Sequence, residues 1–457
     1  MGKLPQSYPP LGSVQPYETE KLVLSNGLSV LLMEDHEVGA VSGTLLAQGG
    51  WRMEPEGRPG LSAIAATVQR SGGTLAHPKA KLDARLEDLA AGVEAAAGTN
   101  TSSVSFSCLS EDLDEVLSLF GEVTLAPALP QNELALQKAL AIDTLARRKD
   151  DPGGLAPVEL RRRIYGLQSP ASVLPTKASI GAISRAEIAS FLSRSFRPDG
   201  ATLGIVGDFD RARIEELLES TLGQAAWPRP DTPLEAMVEV PPPPPREARL
   251  VLIDRPGLTQ AYVAAGEAGT TLQDADTPAL NLLGEVLNGF GGTLFDQLRT
   301  REGLAYTVYA RFSPEYAFEG IFQAGGQTQS ARLAEFITSL RRVIGEAASA
   351  PPDNKLLGDA KQAQASSFVF SQASSGSQLG TQLALTQLGL PKDLDFQLRE
   401  AEQRLTGRDV FDAAARRLHP EEQTVVVVAD AGAVRESLRT LGMPIEEISS
   451  ADLWEDL

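Results

Sequence analysis

The sequence is poor in residues that cross-link a chain or ligate a metal. It has one cysteine, Cys108, so no disulfide can form within it. That cysteine ends the run Ser103-Val104-Ser105-Phe106-Ser107-Cys108. The period of two predicts a strand and a buried, inert thiol. Histidine is scarce too: only His36, His77 and His419 occur, and none lies three or four residues from another or near the cysteine. A local metal site of two ligands on one helical face is thereby excluded, and each is read as a surface or loop histidine. No stretch of 18 apolar residues exists, which argues against a membrane span. Met1 to Gln6 hold no apolar core and no small-residue cleavage site, so no secretory signal is expected and the cytoplasm is the default compartment. A chain whose leader had been removed would read the same. Basic residues are outnumbered, 41 Lys and Arg against 60 Asp and Glu, for a formal net charge of -19. Such a chain repels phosphate backbones, so nucleic acid is not an expected partner, and the charge otherwise serves solubility.

The 457 residues are too many for one ordinary core and predict two to four domains. Hydrophobic residues at 42% and charged residues at 22% suit a soluble globular protein. The segment from Pro228 to Arg246 is rich in proline and contains the run Pro241 to Pro245. Five consecutive prolines continue neither a helix nor a sheet ladder, and they favour an extended spacer. A proline-rich ligand for a peptide-binding module is the alternative, and the lack of repeats speaks for a linker. The expected organisation is a domain over 1–232, a linker over 233–245 and a second domain over 246–457.

The two halves read alike. The first opens with Leu22-Val23-Leu24, the turn Ser25-Asn26-Gly27 and the run Leu28 to Met33, a strong hairpin pattern. It closes with a helical pattern ending at Pro198 and the strand Ala201 to Asp208. The second half opens with the strand Ala248 to Asp254. It closes with a helical pattern, Val410 to His419, that stops at Pro420, and with the strand Thr424 to Asp430. Helix, proline, short loop and an apolar strand ending in aspartate, repeated on both sides of the linker, predict a duplicated α+β unit.

Several segments carry a resemblance. They are Gly49-Gly50-Trp51-Arg52-Met53-Glu54-Pro55 with Gly60-Leu61, then Asp150-Asp151-Pro152 and Val206-Gly207-Asp208. The most specific is Leu294-Phe295-Asp296-Gln297-Leu298-Arg299-Thr300-Arg301-Glu302-Gly303-Leu304-Ala305-Tyr306. In this order, and over nearly the whole chain, they resemble the pitrilysin/insulinase family of zinc metallopeptidases, in its processing-peptidase-like form. The resemblance implies an α+β fold of two homologous α/β-sandwich domains forming half of a clamshell.

In that family Gly60-Leu61 would precede H-x-x-E-H on a helix. Two histidines four apart share a face and hold zinc, and the glutamate is general base on the bound water. Here the chain continues Ser62-Ala63-Ile64-Ala65-Ala66-Thr67, with Ala63 and Thr67 at the histidine positions and Ala66 at the base. The third ligand, a glutamate in relatives, maps to Thr144 in Ile142-Asp143-Thr144-Leu145. Shifting the register by one would place Asp143 there, and one carboxylate cannot hold zinc. The resemblance therefore implies a non-catalytic member with no cofactor of its own, inactive alone, and zinc supplied by a homologous peptidase subunit.

The family's peptide-contacting arginine and tyrosine, seven positions apart, map to Arg299 and Tyr306. A guanidinium offers a fork of donors to carbonyl oxygens, and a phenol one directed hydrogen bond. By periodicity alone they are a solvated helix residue and an amphipathic strand residue; the resemblance implies peptide substrate contact. Gly289, Gly291 and Gly292 invite a phosphate-loop reading, but the segment Ala279 to Leu287 before them looks helical where a dinucleotide site needs a strand. A flexible turn near the substrate is expected instead. The rival functions are a scaffolding member that has left proteolysis and a peptide-binding module acting alone.

Overall fold

The first hairpin forms where Asn-Gly predicts it. Strand β1 (Glu20–Val23) pairs antiparallel with β2 (Ser29–Glu34), and the Asn26 side chain accepts from the Leu28 amide at 3.0 Å. The structure is a computed structural model that describes residues 15–227, 233–289 and 291–454. Residues 1–14, 228–232 and 455–457 lie outside the described residues, and with them both outer ends of the expected domains and the boundary at 232.

The described strands form two six-stranded mixed sheets. The first runs β1-β2-β6-β3-β5-β4, with β3 Ala40–Gln48, β4 Gly92–Ala97, β5 Thr101–Leu109 and β6 Ala201–Gly207. The second runs β12-β7-β11-β8-β10-β9, with β7 Arg249–Asp254, β8 Gln260–Ala268, β9 Ala305–Ser313, β10 Ile321–Gln329, β11 Thr424–Ala429 and β12 Ile445–Ser449. The order β2-β6-β3-β5-β4 recurs as β7-β11-β8-β10-β9. Within these five-strand sets the opening and closing strands, β2 with β6 and β7 with β11, pair in parallel and the other neighbours antiparallel. Five of six strands thus repeat, and the duplication read from the closing pattern is a repeat of topology. The sixth differs: β1 joins antiparallel before its sheet, β12 in parallel after it.

The helices repeat as well. The first half has α1 (Leu61–Ser71), α2 (Lys79–Asp88), α3 (Leu113–Leu125), α4 (Gln131–Arg147), α5 (Pro152–Tyr165), α6 (Lys177–Ala182), α7 (Arg185–Ser195) and α8 (Arg211–Leu218). The second has α9 (Thr277–Asn288), α10 (Leu333–Ala347), α11 (Asn354–Ser371), α12 (Ser375–Gln387), α13 (Leu394–Arg404), α14 (Gly407–Arg417) and α15 (Ala431–Arg439). Where α2 would recur stands one π-helical segment, Phe295–Arg301. None of the described helices is long and apolar enough to cross a membrane.

One face of each sheet is covered by its own half: α1, α3 and α7 on the first, α9, α10 and α14 on the second. The other face is covered by the opposite half. Asp151 caps α5 by accepting from the Gly153 amide, with Pro152 in the first turn where a missing N–H costs nothing. From there α5 crosses to the second sheet and buries Leu155, Leu160 and Ile164 against Val251, Val426 and Val428. In return α12 buries Leu379 and Leu383 against Leu31, Met33 and Val206 of the first sheet. Each exchanged helix seats a leucine on a strand glycine. A Cβ on Gly266 would come within 3.2 Å of Leu160, and one on Gly204 within 3.1 Å of Leu383. Fully burying a leucine contributes about 1.5–3 kcal/mol. Each sheet therefore completes its sandwich with a helix from across the linker.

Residues 233–248, which include the expected linker over 233–245, form neither helix nor strand. Beyond it, buried Glu267 accepts from the His419 amide, pairs with His419 Nδ1 at 2.9 Å and accepts from Gln423 Nε2 at 2.7 Å. Cys108 is buried, and burial pushes its thiol up to about 11, as an inert core thiol requires.

Candidate functional site

Helix α1 buries Leu61, Ile64, Ala65 and Val68, one apolar stripe at helical spacing. Its first turn is anchored by Glu54. The carboxylate accepts from the Gly60 and Ser62 amides at 3.0 and 2.8 Å and from the Ser62 hydroxyl at 2.6 Å. Burial pushes the Glu54 carboxyl up, and these donors oppose it. A carboxylate at a helix N-terminus satisfies free N–H groups and suits the dipole. This anchoring turns Ala63 and Thr67, one turn apart, outward and leaves Ala66 buried. Helix α4 packs beside α1 and also exposes Thr144.

These residues do not fit a metal ion. The alanine methyls have no lone pair. The Thr67 hydroxyl donates to the Ala63 carbonyl at 2.9 Å, and the Thr144 hydroxyl to the Leu140 carbonyl at 2.9 Å. Asp143, the neighbour of Thr144, pairs with Arg147 at 2.7 Å. Each histidine meets a single carboxylate: His36 with Asp208 at 2.6 Å, His77 with Glu122 at 2.8 Å, His419 with Glu267. Among the described residues no three His, Cys, Asp or Glu side chains gather as a metal site.

The second element is intact. The π-helical segment Phe295–Arg301 is held down by buried Leu294 and Leu298, which leaves Arg299 exposed. Its guanidinium lies 4.7 Å from the Phe295 ring centre and 5.5 Å from that of Tyr306. The two residues seven apart are thus in contact, and the cation lies over two aromatic rings. Tyr306 is 75% exposed. It owes that to a β-bulge: Gln327 pairs with Thr307 and Thr328 with Ala305, so Tyr306 is the extra residue that faces no partner in β10. Neighbouring charges are engaged elsewhere, Arg301 with Asp296 at 2.8 Å and Glu302 with Arg342 at 2.8 Å. Strand β9 is the sheet edge, so one side of its backbone has no strand partner among the described residues.

The glycines follow a helix, α9, and not a strand, which removes the dinucleotide reading. Gly291 has φ +85, and a Cβ on Gly289 or Gly292 would lie within 2.8 Å of backbone atoms. The turn is a tight one that needs glycine, set between α9 and the arginine segment.

Sequence reasoning missed two things. Phe295, four residues before Arg299, was legible as a helical neighbour but the resemblance pointed past it. The bulge at Tyr306 has no local signature, because it is defined by what β10 pairs with.

Comparison with known proteins fits this geometry. Residues 29–161 match the family model described as Insulinase (Peptidase family M16), and residues 182–364 that described as Peptidase M16 inactive domain. The chain is 23% identical over 391 residues to the protein named Non-peptidase homolog YmxG of Helicobacter pylori, covering 84% of this chain and 88% of that one. It is 24% identical over 333 residues to the Uncharacterized zinc protease Rv2782c of Mycobacterium tuberculosis, covering 72% and 74%. Among solved structures, a peptidase M16 inactive domain from Pseudomonas fluorescens superposes with a TM-score of 0.79 at 24% identity, over 90% of this chain and 98% of that one. A putative M16-like peptidase from Alicyclobacillus acidocaldarius superposes with a TM-score of 0.76 at 18% identity, over 92% and 99%.

Proposed function

The chain belongs to the M16 (insulinase) peptidase family as an inactive member without H-x-x-E-H, and from this premise we propose that it is the substrate-contacting subunit of a two-chain zinc metallopeptidase. A homologous partner supplies the zinc and the water it activates for peptide-bond hydrolysis. This chain supplies donors. Arg299, lying over Phe295 and Tyr306, points guanidinium N–H groups at carbonyl oxygens of a bound peptide. The Tyr306 hydroxyl donates one hydrogen bond to the carbonyl oxygen as it gains charge. The open edge of β9 pairs with extended peptide backbone. The observation that carries the reading is the exposed Arg299–Tyr306 stack in a chain whose own α1 bears no ligand.

Co-purification with a homologue that has H-x-x-E-H, followed by a peptide-cleavage assay, tests it. The partner alone should be weakly active or inactive. In the complex, Tyr306→Phe or Arg299→Ala should slow cleavage about a hundredfold, the usual cost of one oxyanion donor, with the partner's zinc content unchanged. Loss of a ground-state contact would instead raise KM at nearly constant kcat. A partner equally fast alone, or rates untouched by both substitutions, overturns the proposal. The second reading, a scaffolding role outside proteolysis, is favoured by the non-peptidase naming of the Helicobacter relative. It expects both residues to be dispensable.

A further inference from the structure

Where α5 starts across the second sheet, a cavity of about 140 Å³ lies between helix and strands. Gly153, Ala156 and Pro157 of α5 line it from one side, and Tyr262 of β8 with Thr307 and Tyr309 of β9 from the other. An apolar cavity of about 150 Å³ is large enough for a benzene ring. Among the described residues no charged side chain lines this one. Both phenols in its wall are engaged: Tyr262 Oη accepts from Gln327 Nε2 at 3.2 Å, and Tyr309 Oη from Gln323 Nε2. A charged group placed here would lose water and find no counter-charge, so the wall suits an uncharged, apolar occupant.

The cavity adjoins the edge strand that bears Tyr306. Thr307 and Tyr309 follow Tyr306 by one and three residues and share a face of β9, while Val308 and Ala310 pack into the core of their own half. Thr307 is exposed and Tyr309 half-buried, so the cavity opens along the strand. A peptide that pairs with β9 sets every second side chain on the face of Thr307 and Tyr309, with Cβ atoms about 5 Å from theirs. We propose that the cavity is a specificity pocket, which receives a large apolar side chain from the peptide residue opposite Thr307 or Tyr309. The proposal rests on the reading of β9 as a peptide-pairing edge, and it adds the class of peptide that this edge selects.

Fluorescence anisotropy of the full chain with labelled heptapeptides tests it. The probe is six threonines around a central phenylalanine, compared with the same peptide carrying alanine or aspartate at the centre. The phenylalanine peptide should bind about tenfold or more tighter than the alanine peptide, the gain from burying one large apolar side chain, and the aspartate peptide no tighter than alanine. Gly153 and Pro157, four apart on one helical face, allow the pocket to be filled without touching β9. A Cβ on Gly153 would stand 3.5 Å from the Tyr262 ring, an ordinary contact. Gly153→Leu and Pro157→Phe should each abolish the preference for phenylalanine and leave the alanine peptide's affinity unchanged. Circular dichroism verifies that each variant is folded, and the wild-type ratio decides even without them. N-methylation of alternate backbone nitrogens in the phenylalanine peptide should abolish binding, which tests the pairing edge by itself. Equal binding of all three peptides, or a phenylalanine preference that survives in both filled variants, overturns the pocket and leaves the edge reading standing. Binding of none of them, or undiminished binding of the N-methylated peptide, overturns the edge reading and the pocket with it.

Discussion

Helices α1 and α9 occupy the same place in the two halves, and their buried columns match. Setting Leu61 and Ser62 on Ala279 and Leu280 brings Ile64, Ala65, Val68 and Gln69 onto Leu282, Leu283, Val286 and Leu287, all of them buried. The opposite faces do not match. Ala63 then falls on Asn281, Ala66 on Gly284 and Thr67 on Glu285. Packing against a sheet constrains the buried stripe of each helix, because core volume changes are felt at the level of a methylene. Nothing in the fold constrains the exposed Ala63 and Thr67 positions in that way. One copy carries methyls and the self-bonded Thr67 hydroxyl there, and the other a half-buried asparagine. A metal face can therefore be lost without disturbing the sandwich beneath it.

The sharpest way to break this comparison is to put ligands back. Ala63→His, Thr67→His and Thr144→Glu together place three ligands at exposed positions of two packed helices. The triple variant should bind one equivalent of zinc and gain about 4 kcal/mol of unfolding free energy at zinc a thousandfold above its Kd. Metal analysis and chemical unfolding with and without zinc check this. A triple variant that stays free of zinc would show that α1 and α4 have drifted out of ligand geometry.

The exchanged helices come next. Leu160 and Leu383 play the same part in opposite directions, each seated on a strand glycine of the other half. Leu160→Ala and Leu383→Ala should each cost about 3 kcal/mol, the middle of the range for buried leucine. Both should lower the midpoint of one shared transition in urea. Two separate unfolding steps, each moved by only one variant, would mean that the halves pack without coupling.

The smallest effect concerns the closing helices, α7 and α14, which share a reciprocal cap. Ser184 accepts from the Glu187 amide and Glu187 from the Ser184 amide; Thr406 and Asp409 do the same. Ser184→Ala and Thr406→Ala should each cost about 1 kcal/mol. The first cap has an extra partner, Arg58 Nε at 2.5 Å from Glu187. Hydrogen bonds from Ser184, then Arg58, hold the Glu187 carboxyl at about 2, below its ordinary 4.5. A carboxyl lowered on folding adds stability that is present above its unfolded value and lost as pH falls toward the folded one. Stability should therefore decline from about pH 4.5 toward 2, and Glu187→Gln should flatten that decline more than Asp409→Asn. Unfolding midpoints across this range measure it, and equal slopes in the two variants would remove the asymmetry.

Most of the fold was legible because it repeats and because its signals are local. Asn26-Gly27, the two proline-ended helices and the strands at 201–208 and 424–430 each declare themselves within a few residues. Asp151-Pro152 did too, though it opens α5 more than it closes α4. The lost ligands were legible as letters. What lay beyond reach was every feature made by two distant segments at once. Neither α5 nor α12 has a periodicity that says which sheet it will cover, since an apolar stripe fits any apolar face of the right width. The bulge at Tyr306 exists only in the register between β9 and β10.

The sequence alone determined that the chain has two copies of one α+β unit, that its first copy lacks H-x-x-E-H, and that Arg299 and Tyr306 stand seven apart. Those are properties of residue type and short spacing, and no packing can change them. Tertiary structure decided that the guanidinium lies over both Phe295 and Tyr306. It also set the two halves to trade helices, α5 onto the second sheet and α12 onto the first. Each of these depends on which surfaces meet, and burial and the directions of hydrogen bonds are settled only when they do.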